Sequence, residues 1–234
     1  MRIDILSLFP GYFQGPFDES IVKRARDRGL VNIYLHDIRD FAEGKHRQVD
    51  DRPYGGGPGM VMMAPPVVGA IRSVKQPKSR VVYLSPQGSP LTAKKCKELS
   101  EYEHVVLLCG HYEGIDQRVI DSEVDEEISI GDYVLSNGCL AAIVLVDSTI
   151  RFLPDVIGHE CSAEEDSFQN DRLDWPHYTR PPEFEGMVVP EVLQGGNHKS
   201  IEEWRKAQAL EKTRRVRPDL LSRYHGDSAE QEIS

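Results

Sequence analysis

A chain of 234 residues with 39% apolar and 28% charged residues has the composition of an ordinary soluble globular protein. It is long enough for one large domain, or for a medium domain with a smaller appendage. The net charge of -10 argues mildly against a general nucleic-acid coat protein, because phosphate contacts are made by Lys and Arg. No run reaches the roughly 18 apolar residues of a membrane span, and the N-terminus is too polar for a signal peptide, so we expect a cytoplasmic protein without membrane association.

The chain opens with two predicted strands, 2–8 and 31–38, joined by a helix for which Ser20 is the expected N-cap and Gly29 the stop. The alternation recurs downstream, with a strand at 80–85, a helix at 91–102 and strands at 104–109 and 126–130. Nearly continuous apolar strands with helical spacers predict an α/β fold with a parallel sheet covered on both faces.

Residues 139–153 are apolar all round, and their length favours a buried helix over a strand. After Pro154 the amino-acid composition changes, which predicts a linker that leads into a smaller C-terminal part. There a long helix is predicted to start with a capping box, Ser200 with Glu203, and to stop before Pro218.

Charge is unevenly placed along the second half of the chain. Residues 155–174 carry seven acids against Arg172 alone, whereas residues 195–223 carry eight bases against four acids. This asymmetry suggests two functional regions, the second of them locally basic.

Cysteine and histidine spacing gives no metal site. The four cysteines, Cys96, Cys109, Cys139 and Cys161, match neither a zinc pattern nor a compact disulfide framework. The eight histidines show no HExxH or paired spacing, so we assign no metal-ligating residue and expect reduced, mostly structural cysteines.

Glycines gather where strands are expected to end. The four segments are "YGGGPGM" (54–60), "SPQGSP" (85–90), "CGHYEGID" (109–116) and "IGDYVLSNG" (130–138). In an open α/β sheet ligands bind at the carboxyl ends of strands, so the last three loops predict one shared pocket, with tight turns as the alternative reason for the glycines. Neither a dinucleotide fingerprint nor a GxxxxGK[ST] phosphate loop occurs, so a phosphate-binding loop has no support, and a nucleoside-like ligand held by backbone groups stays open.

Seven motifs together resemble one family. In order between about residue 50 and residue 198, "DDRPYGGGPGMVM", "SPQG", "CGHYEGIDQRV", "SIGDYVLSNG", "EEDSF", "PHYTRP" and "GNH" closely resemble the bacterial tRNA (guanine-N1)-methyltransferases, the TrmD family of the SPOUT superfamily. The resemblance implies a SPOUT-type parallel sheet with a deep C-terminal trefoil knot, an exception to the general absence of knots, plus a small helical C-terminal domain. It implies a knotted methyltransferase domain over 1–157, a flexible acidic linker carrying the catalytic base over 158–174, and a helical tRNA-binding domain over 175–234.

The same resemblance implies a reaction. It is the S-adenosylmethionine-dependent methylation of N1 of the guanosine immediately 3′ of the anticodon in tRNA, which maintains the reading frame. The enzyme is expected to be an obligate homodimer with its site between subunits, and to need Mg²⁺ for activity. Two alternatives stay open: a knotted methyltransferase for another RNA nucleoside, and a non-catalytic RNA-binding dimer.

Three residues take catalytic roles by resemblance. Asp166 matches the general base, Arg151 the residue that stabilises the guanine O6, and Glu113 a position near the methionine end that is linked to magnesium. Each has a plainer alternative: Asp166 is one of seven acids in a solvated segment, Arg151 caps the preceding helix, and Glu113 is a turn residue.

Two further sets are carried over. The donor-binding set is Leu84, Ser85, Pro86, Gly110, Ile130, Gly131, Asp132, Tyr133, Val134, Leu135 and Gly138. The substrate-binding set is Tyr112, Ser162, Asp174, His177, Lys199, Arg205, Arg214 and Arg215, for which linker hydrogen bonding or a solvated helix face are the alternatives.

The sequence departs from the family pattern at four positions. His111 and Gln117 stand where Arg and Glu are expected, and Asn137 and Cys139 where Gly and Glu are common. Asn137 tolerates a left-handed backbone, so the turn is expected to survive. The loss of a permanent cation at His111 is expected to alter donor or magnesium handling.

Overall fold

The computed structural model describes residues 1–157 and 166–221. The chain divides into two compact units, Met1–His159 and Glu160–Ser234, and each is described by itself. None of the helices in the described ranges has both the length and the apolar character that a membrane crossing needs.

The first unit is built on a five-stranded sheet in the order β2-β1-β6-β5-β7. All its pairings are parallel. The strands of this unit are β1 Arg2–Ser7, β2 Asn32–Asp37, β3 Asp50–Asp51, β4 Val61–Met62, β5 Arg80–Pro90, β6 His104–Cys109 and β7 Glu126–Ser129. The two short strands β3 and β4 form a separate antiparallel pair.

In the described part of this unit five α-helices accompany the sheet: α1 Ser20–Asp27, α2 Ala64–Val74, α3 Ala93–Ser100, α4 Gln117–Glu123 and α5 Cys139–Ile150. The second unit contains the hairpin β8 Glu183–Phe184 and β9 Met187–Val188, then α6 Glu191–Gln194 and α7 His198–Val216. An α/β fold with a five-stranded parallel sheet and C-terminal helices is therefore confirmed. The knot and the bounds of the three domains stay predictions.

The central strands are buried on both faces, as their continuous apolar runs predict. All six residues of β6 are buried. Val105 and Leu107 belong to one core cluster, which includes residues of α1, α3 and α5, while Val106 and Leu108 belong to the other, with residues of α2 and α4. The alternation follows from the two-residue period of a strand.

The ambiguous apolar segment forms the helix α5, as its length predicts. Among its residues Ala142, Leu145, Val146 and Ile150 are at most 1% exposed. The helix ends at Ile150, before the predicted limit of 153, with Arg151 as its C-cap.

Strand β5 runs five residues beyond its predicted end at Ser85. Leu84 and Ser89 both pair with Ile128, so residues 85–88 loop out before pairing resumes. A Cβ on Gly88 would lie 2.4 Å from the backbone of Glu127 and Ile128. Only a glycine fits this approach, and the strand can therefore return to β7.

Two predicted helix caps are wrong, whereas both predicted stops are confirmed, since α7 ends at Val216, before Pro218. Ser20 is the first residue of α1 and Glu19 is its N-cap, without a side-chain cap bond. Gly29 ends α1 as expected, with φ of 69° and a bond from the Leu30 amide to the Ala25 carbonyl. Helix α7 is capped by Asn197, whose side chain accepts from the Ser200 amide, so Ser200 lies inside the helix.

Candidate functional site

A cavity of about 270 Å³ opens where β5, β6 and β7 end. It is lined by residues of the three loops predicted to share a pocket, 85–90, 109–116 and 130–138. The three strands are neighbours in the parallel sheet, so their carboxyl ends meet at one edge. The geometry of a strand-end ligand site is therefore present.

Two of the glycines stand where a side chain would collide with the pocket wall. The Gly138 amide donates to the Gly110 carbonyl at 2.9 Å. A Cβ on Gly138 would lie 2.9 Å from the Cys109 Cα, and one on Gly110 would lie 2.9 Å from the Tyr83 ring. Backbone groups rather than side chains thus form this part of the wall.

Loop 130–138 is folded back on itself by local bonds. The Ser129 hydroxyl accepts from the Gly131 amide at 3.2 Å, and the Tyr133 hydroxyl donates to the Ile130 carbonyl at 3.1 Å. Gly131 has φ of 151°, and Val134 is 82% exposed. The loop therefore forms an ordered rim on the solvent side of the cavity.

Asn137 ends this loop and begins α5. Its side-chain oxygen accepts from the Cys139 amide at 2.8 Å. Asn137 is not among the residues with positive φ, so the turn does not depend on a left-handed backbone there. The residue serves instead as an Asx turn that leads into the helix.

Turn 110–114 is tied to the segment around β4. The Glu113 amide donates to the Met60 carbonyl at 3.0 Å, and the Met62 amide donates to the Gly114 carbonyl at 2.9 Å. A Cβ on Gly59 would lie 2.3 Å from Glu113 Oε1. The remaining glycine-rich segment, 54–60, therefore packs against the Glu113 side chain. Glu113 thus lines the pocket with its carboxylate lying close to Gly59.

Tyr83 lines the cavity and was not predicted as a site residue. Burial raises its pKa to about 12, the negative charge of Glu127 adds to this, and a hydrogen bond with Ser85 opposes it. Tyr83 therefore keeps its proton at neutral pH and can donate. Its place in an apolar strand, "RVVYLS", gives no sign of this role.

A thiol pair lies directly behind the pocket wall. Ser7 Oγ lies 3.1 Å from Cys139 Sγ. Because Ser7 Oγ accepts from the Phe9 amide, its proton is available to the thiol. The Cys109 thiol lowers the pKa of Cys139 to about 7 by donating to it, against the effect of burial, and Ser7 adds to the lowering. The pKa of Cys109 itself is raised well above its ordinary value by the same bond and by burial.

The predicted donor-binding residues gather in this pocket, with one exception. Those that line it are Leu84, Ser85, Pro86, Gly110, Ile130, Gly131, Tyr133, Val134, Leu135 and Gly138. Asp132 is not among the lining residues, whereas Tyr112 and Glu113 are. Further lining residues that the sequence did not single out for binding are Gln87, Gln117, Ile120, Glu127, Ser136 and Asn137. Gln87 lies inside the predicted loop 85–90, and Glu127 lies in β7 shortly before loop 130–138; these positions are the only sequence signal for the two residues.

Arg151 and Asp166 are not brought into the lining of this cavity. Arg151 occupies the C-cap of α5, the place that the plainer alternative gives it. Asp166 is half-buried in the second unit, and Ser162 lies outside the described residues. Their catalytic and substrate roles stay predictions.

The other predicted substrate residues lie in the second unit. Asp174 accepts from the Trp175 amide at 2.7 Å and bonds the His177 ring at 2.7 Å, which agrees with ordinary linker hydrogen bonding. The Arg205 guanidinium stacks 4.8 Å from the Trp175 ring centroid. Lys199, Arg205, Arg214 and Arg215 are all exposed along α7.

Among the described residues no group of three or more His, Cys, Asp or Glu side chains is arranged to hold a metal ion. Cys96, Cys109 and Cys139 are free and buried, and Cys161 lies outside the described residues. The described cysteines are therefore packing residues, as expected. The magnesium requirement stays a prediction.

Comparison with known proteins decides the family. Residues 1–223 match the family model of the tRNA (Guanine-1)-methyltransferase TrmD. The chain belongs to the TrmD family. A tRNA (guanine-N(1)-)-methyltransferase of Protochlamydia amoebophila (strain UWE25) is 65% identical over 222 residues, which cover 95% of this chain and 100% of the relative.

Two Chlamydia relatives carry the same name as the Protochlamydia protein. That of Chlamydia muridarum is 60% identical over 230 residues, 98% of this chain and 65% of the relative. That of Chlamydia pneumoniae is 58% identical over 224 residues, 96% of this chain and 62% of the relative. This TrmD-family chain thus spans just under two thirds of the Chlamydia proteins and the whole of the Protochlamydia one.

Proposed function

We propose that this TrmD-family chain is a tRNA (guanine-N1)-methyltransferase, which transfers a methyl group from S-adenosylmethionine to N1 of the guanosine immediately 3′ of the anticodon and so maintains the reading frame. The observation that carries the proposal is the 65% identity with a tRNA (guanine-N(1)-)-methyltransferase along that relative's full length. The strand-end pocket supports it independently.

The pocket suits a nucleoside-bearing methyl donor. At Gly110 and Gly138 a Cβ would collide with the Tyr83 ring and the Cys109 backbone, so this part of the pocket wall is bare main chain, which a flat ligand can approach closely. Backbone N–H and C=O groups at a strand edge can pair with the edge of a base. In the proposal Leu84, Ser85 and Pro86, Gly110, residues 130–135 and Gly138 hold S-adenosylmethionine, which supplies an electrophilic methyl group when bound. Asp132 does not line the cavity, so it belongs to this set by resemblance alone.

The residues assigned to catalysis suit the chemistry of guanine. Neutral guanine carries a proton on N1 and is a poor nucleophile until a base removes that proton. In the proposal the Asp166 carboxylate removes it, while the Arg151 guanidinium stabilises the negative charge that moves onto O6, as in an oxyanion hole, a contribution of about 3 kcal/mol. Glu113 faces the same pocket, and the Mg²⁺ that the proposal includes has no assigned protein ligand.

The target base must leave its stack before it reaches a methyl donor, at a cost of a few kcal/mol. In the proposal the acidic segment 158–174 orders over the base. Exposed cations of α7 meet tRNA phosphates and fix the register of the stem, with His177 and Asp174 beside them and Ser162 and Tyr112 nearer the base.

A homodimer and a trefoil knot are also part of the proposal. The site would combine the pocket of one subunit with the segment 158–174 of the other. The knot would pass through the loops around the pocket, and it is supported by the close approach of Gly138 to the backbone of Cys109 and by the burial of α5 behind it. The domains would be 1–157, 158–174 and 175–234.

The test is methyl transfer from labelled S-adenosylmethionine to unmodified tRNA transcripts. One transcript carries guanosines at the third anticodon position and at its 3′ neighbour, and a matched transcript lacks the target guanine. Product on the first transcript alone, mapped to N1, is the expected result. Labelling of both transcripts would indicate another nucleoside, and no labelling with intact donor binding would indicate a non-catalytic RNA binder.

A further inference from the structure

Two segments of the pocket wall lie side by side as a minimal antiparallel pair. His111 and Asn137 form an isolated antiparallel bridge, and the Gly138 amide donates to the Gly110 carbonyl at 2.9 Å. One segment belongs to turn 110–114 and the other is the last part of loop 130–138. Both line the cavity, so the distance between them sets one dimension of the pocket.

The His111 side chain adds a second connection between these segments. Its Nδ1 lies 3.0 Å from the Ser136 carbonyl oxygen. A carbonyl oxygen only accepts hydrogen bonds, so Nδ1 carries the proton and donates. Nδ1 has this proton in the neutral tautomer and in the charged form alike, so the bond does not depend on the charge of the ring.

Two aromatic rings hold the imidazole in place. The Phe9 ring meets it edge-on, with centroids 5.0 Å apart and planes at 80°, and the Tyr112 ring lies 4.2 Å away. Tyr112 itself has a left-handed backbone, with φ of 57°. These contacts hold His111 Nδ1, the hydrogen-bond donor, in place before any ligand enters the pocket.

We infer that His111 is a positioning residue for methyl-donor binding: its Nδ1–H bond to Ser136 holds the last part of loop 130–138 against turn 110–114. This inference rests on the proposed function. Without the bond, the Ser136 segment keeps the backbone bridge at Asn137, the Gly138 amide bond and the Asn137 turn, but it loses its side-chain connection to turn 110–114. S-adenosylmethionine would then have to order the loop as it binds. This lowers its affinity and leaves the methyl-transfer step of the bound molecule unchanged.

Four substitutions separate the bond from the ring. His111→Asn places an amide donor where Nδ1 stands and removes the ring. His111→Phe keeps a ring and removes the donor, and His111→Gln keeps polarity but directs its amide toward the position of Nε2. His111→Ala removes both.

The measurement is calorimetric binding of S-adenosylmethionine without tRNA, followed by kcat and the KM for donor and for tRNA. We expect His111→Phe and His111→Gln to raise the donor Kd about five- to tenfold, the effect of one lost hydrogen bond, and His111→Asn to stay within about threefold of the unaltered protein. The KM for tRNA and kcat at saturating donor should stay within about twofold.

Equal donor affinity in His111→Phe, His111→Gln and the unaltered protein would overturn the inference while leaving the proposed function intact. A His111→Asn variant as weak as His111→Ala would overturn it too, since the ring and not the bond would then be responsible. If His111→Phe fails to fold, His111→Gln decides the same question. Absence of donor binding by the unaltered protein would instead overturn the proposed function, and the inference with it.

Discussion

Asp4 shows how a single carboxylate can be kept charged inside the sheet. It is fully buried, with Arg2 Nε at 2.5 Å, His36 Nε2 at 2.6 Å and His104 Nε2 at 2.8 Å. Burial raises the pKa of Asp4, but the hydrogen bonds from Arg2, His36 and His104 outweigh it and leave the pKa below its ordinary value. The carboxylate is therefore paired well enough to remain ionised.

Substitution of Asp4 should destabilise the first unit. We expect Asp4→Asn to lower the free energy of unfolding by about 3 kcal/mol, because the partners lose a charged acceptor. Since the pKa is lowered on folding, this contribution is complete above the ordinary value of 3.8 and is lost as the pH falls below it, so the variant should show a shallower acid transition. Urea titrations measure both effects. The control is Asp27→Asn, which breaks the exposed pair with Lys23 and should leave the stability close to that of the unaltered protein.

Cys139 should make stability depend on pH near neutrality. Its pKa falls from 9.0 to about 7 on folding, so the unfolded chain binds more protons between these values and stability should rise with pH from about 7 to 9. Above about 9 the raised pKa of Cys109 works in the opposite direction. We expect Cys139→Ser to flatten the rise in denaturant midpoint, whereas Cys96→Ser should keep it. An unchanged slope in Cys139→Ser would show that another group titrates.

Asp166 carries the residue-scale test of the proposed chemistry. Asp166→Ala should abolish methyl transfer while donor affinity stays within about twofold, because a base acts on the guanine and not on the donor. Asp171→Asn, a change at another acid of the same segment, is the control and should keep most of the turnover. Near-normal turnover in Asp166→Ala would remove the base role, and single-turnover assays with saturating tRNA measure it.

The secondary-structure elements were predictable where a single physical cause dominates. Strand β6 was found because a central parallel strand is apolar on both faces, and α5 because a dozen apolar residues suit a buried helix better than a strand. The continuation of β5 was missed because it depends on contact between Gly88 and a strand about 40 residues later. Such a contact cannot be predicted from the local sequence.

The same distinction holds for the site. The three loops could be predicted to meet because parallel strands share a carboxyl edge. The bond between Ser7 and Cys139 joins residues 132 positions apart, and the role of Tyr83 depends on its burial beside Glu127. These features arise only when the chain is packed. Local sequence patterns do not reveal contacts between residues that lie far apart in the chain. The family resemblance supplied some of this information.

The start of α7 offers a test at the scale of one element. Both Asn197 and Ser200 are good cap residues, and the matching Glu203 favoured the wrong one. We expect Asn197→Ala to cost about 1 kcal/mol of stability and Ser200→Ala only a few tenths. The two tryptophans, Trp175 and Trp204, both lie in the second unit, so their fluorescence during urea unfolding reports on it. Equal losses in the two variants would contradict the assignment of the cap.

At the scale of the whole molecule, the chain separates two kinds of chemistry. The unit Met1–His159 holds the strand-end pocket, and the unit Glu160–Ser234 holds Asp166 and the exposed cations of α7. In the proposed homodimer one chain supplies the pocket and its partner supplies the base. This arrangement makes a prediction that no single-chain site would share.

Two inactive variants should restore activity when they are paired. Gly138→Ala places a Cβ 2.9 Å from the Cys109 Cα and should abolish donor binding, while Asp166→Ala lacks the base. In a heterodimer purified through two different tags, one of the two sites has an intact pocket and an intact base, so we expect about half of the unaltered activity. Each homodimer alone is the control. A heterodimer as inactive as its parents would place the whole site within one chain.

The glycine-lined wall of the pocket also bears on how freely the chain can change. At Gly110 and Gly138 any other residue would bring a Cβ within 2.9 Å of neighbouring atoms, so substitutions at these positions disturb the pocket itself. A small molecule that contacts the main chain there would be recognised by atoms that mutation cannot replace. Resistance to such an inhibitor would have to arise at a distance from the contact, where each change carries its own cost to the enzyme.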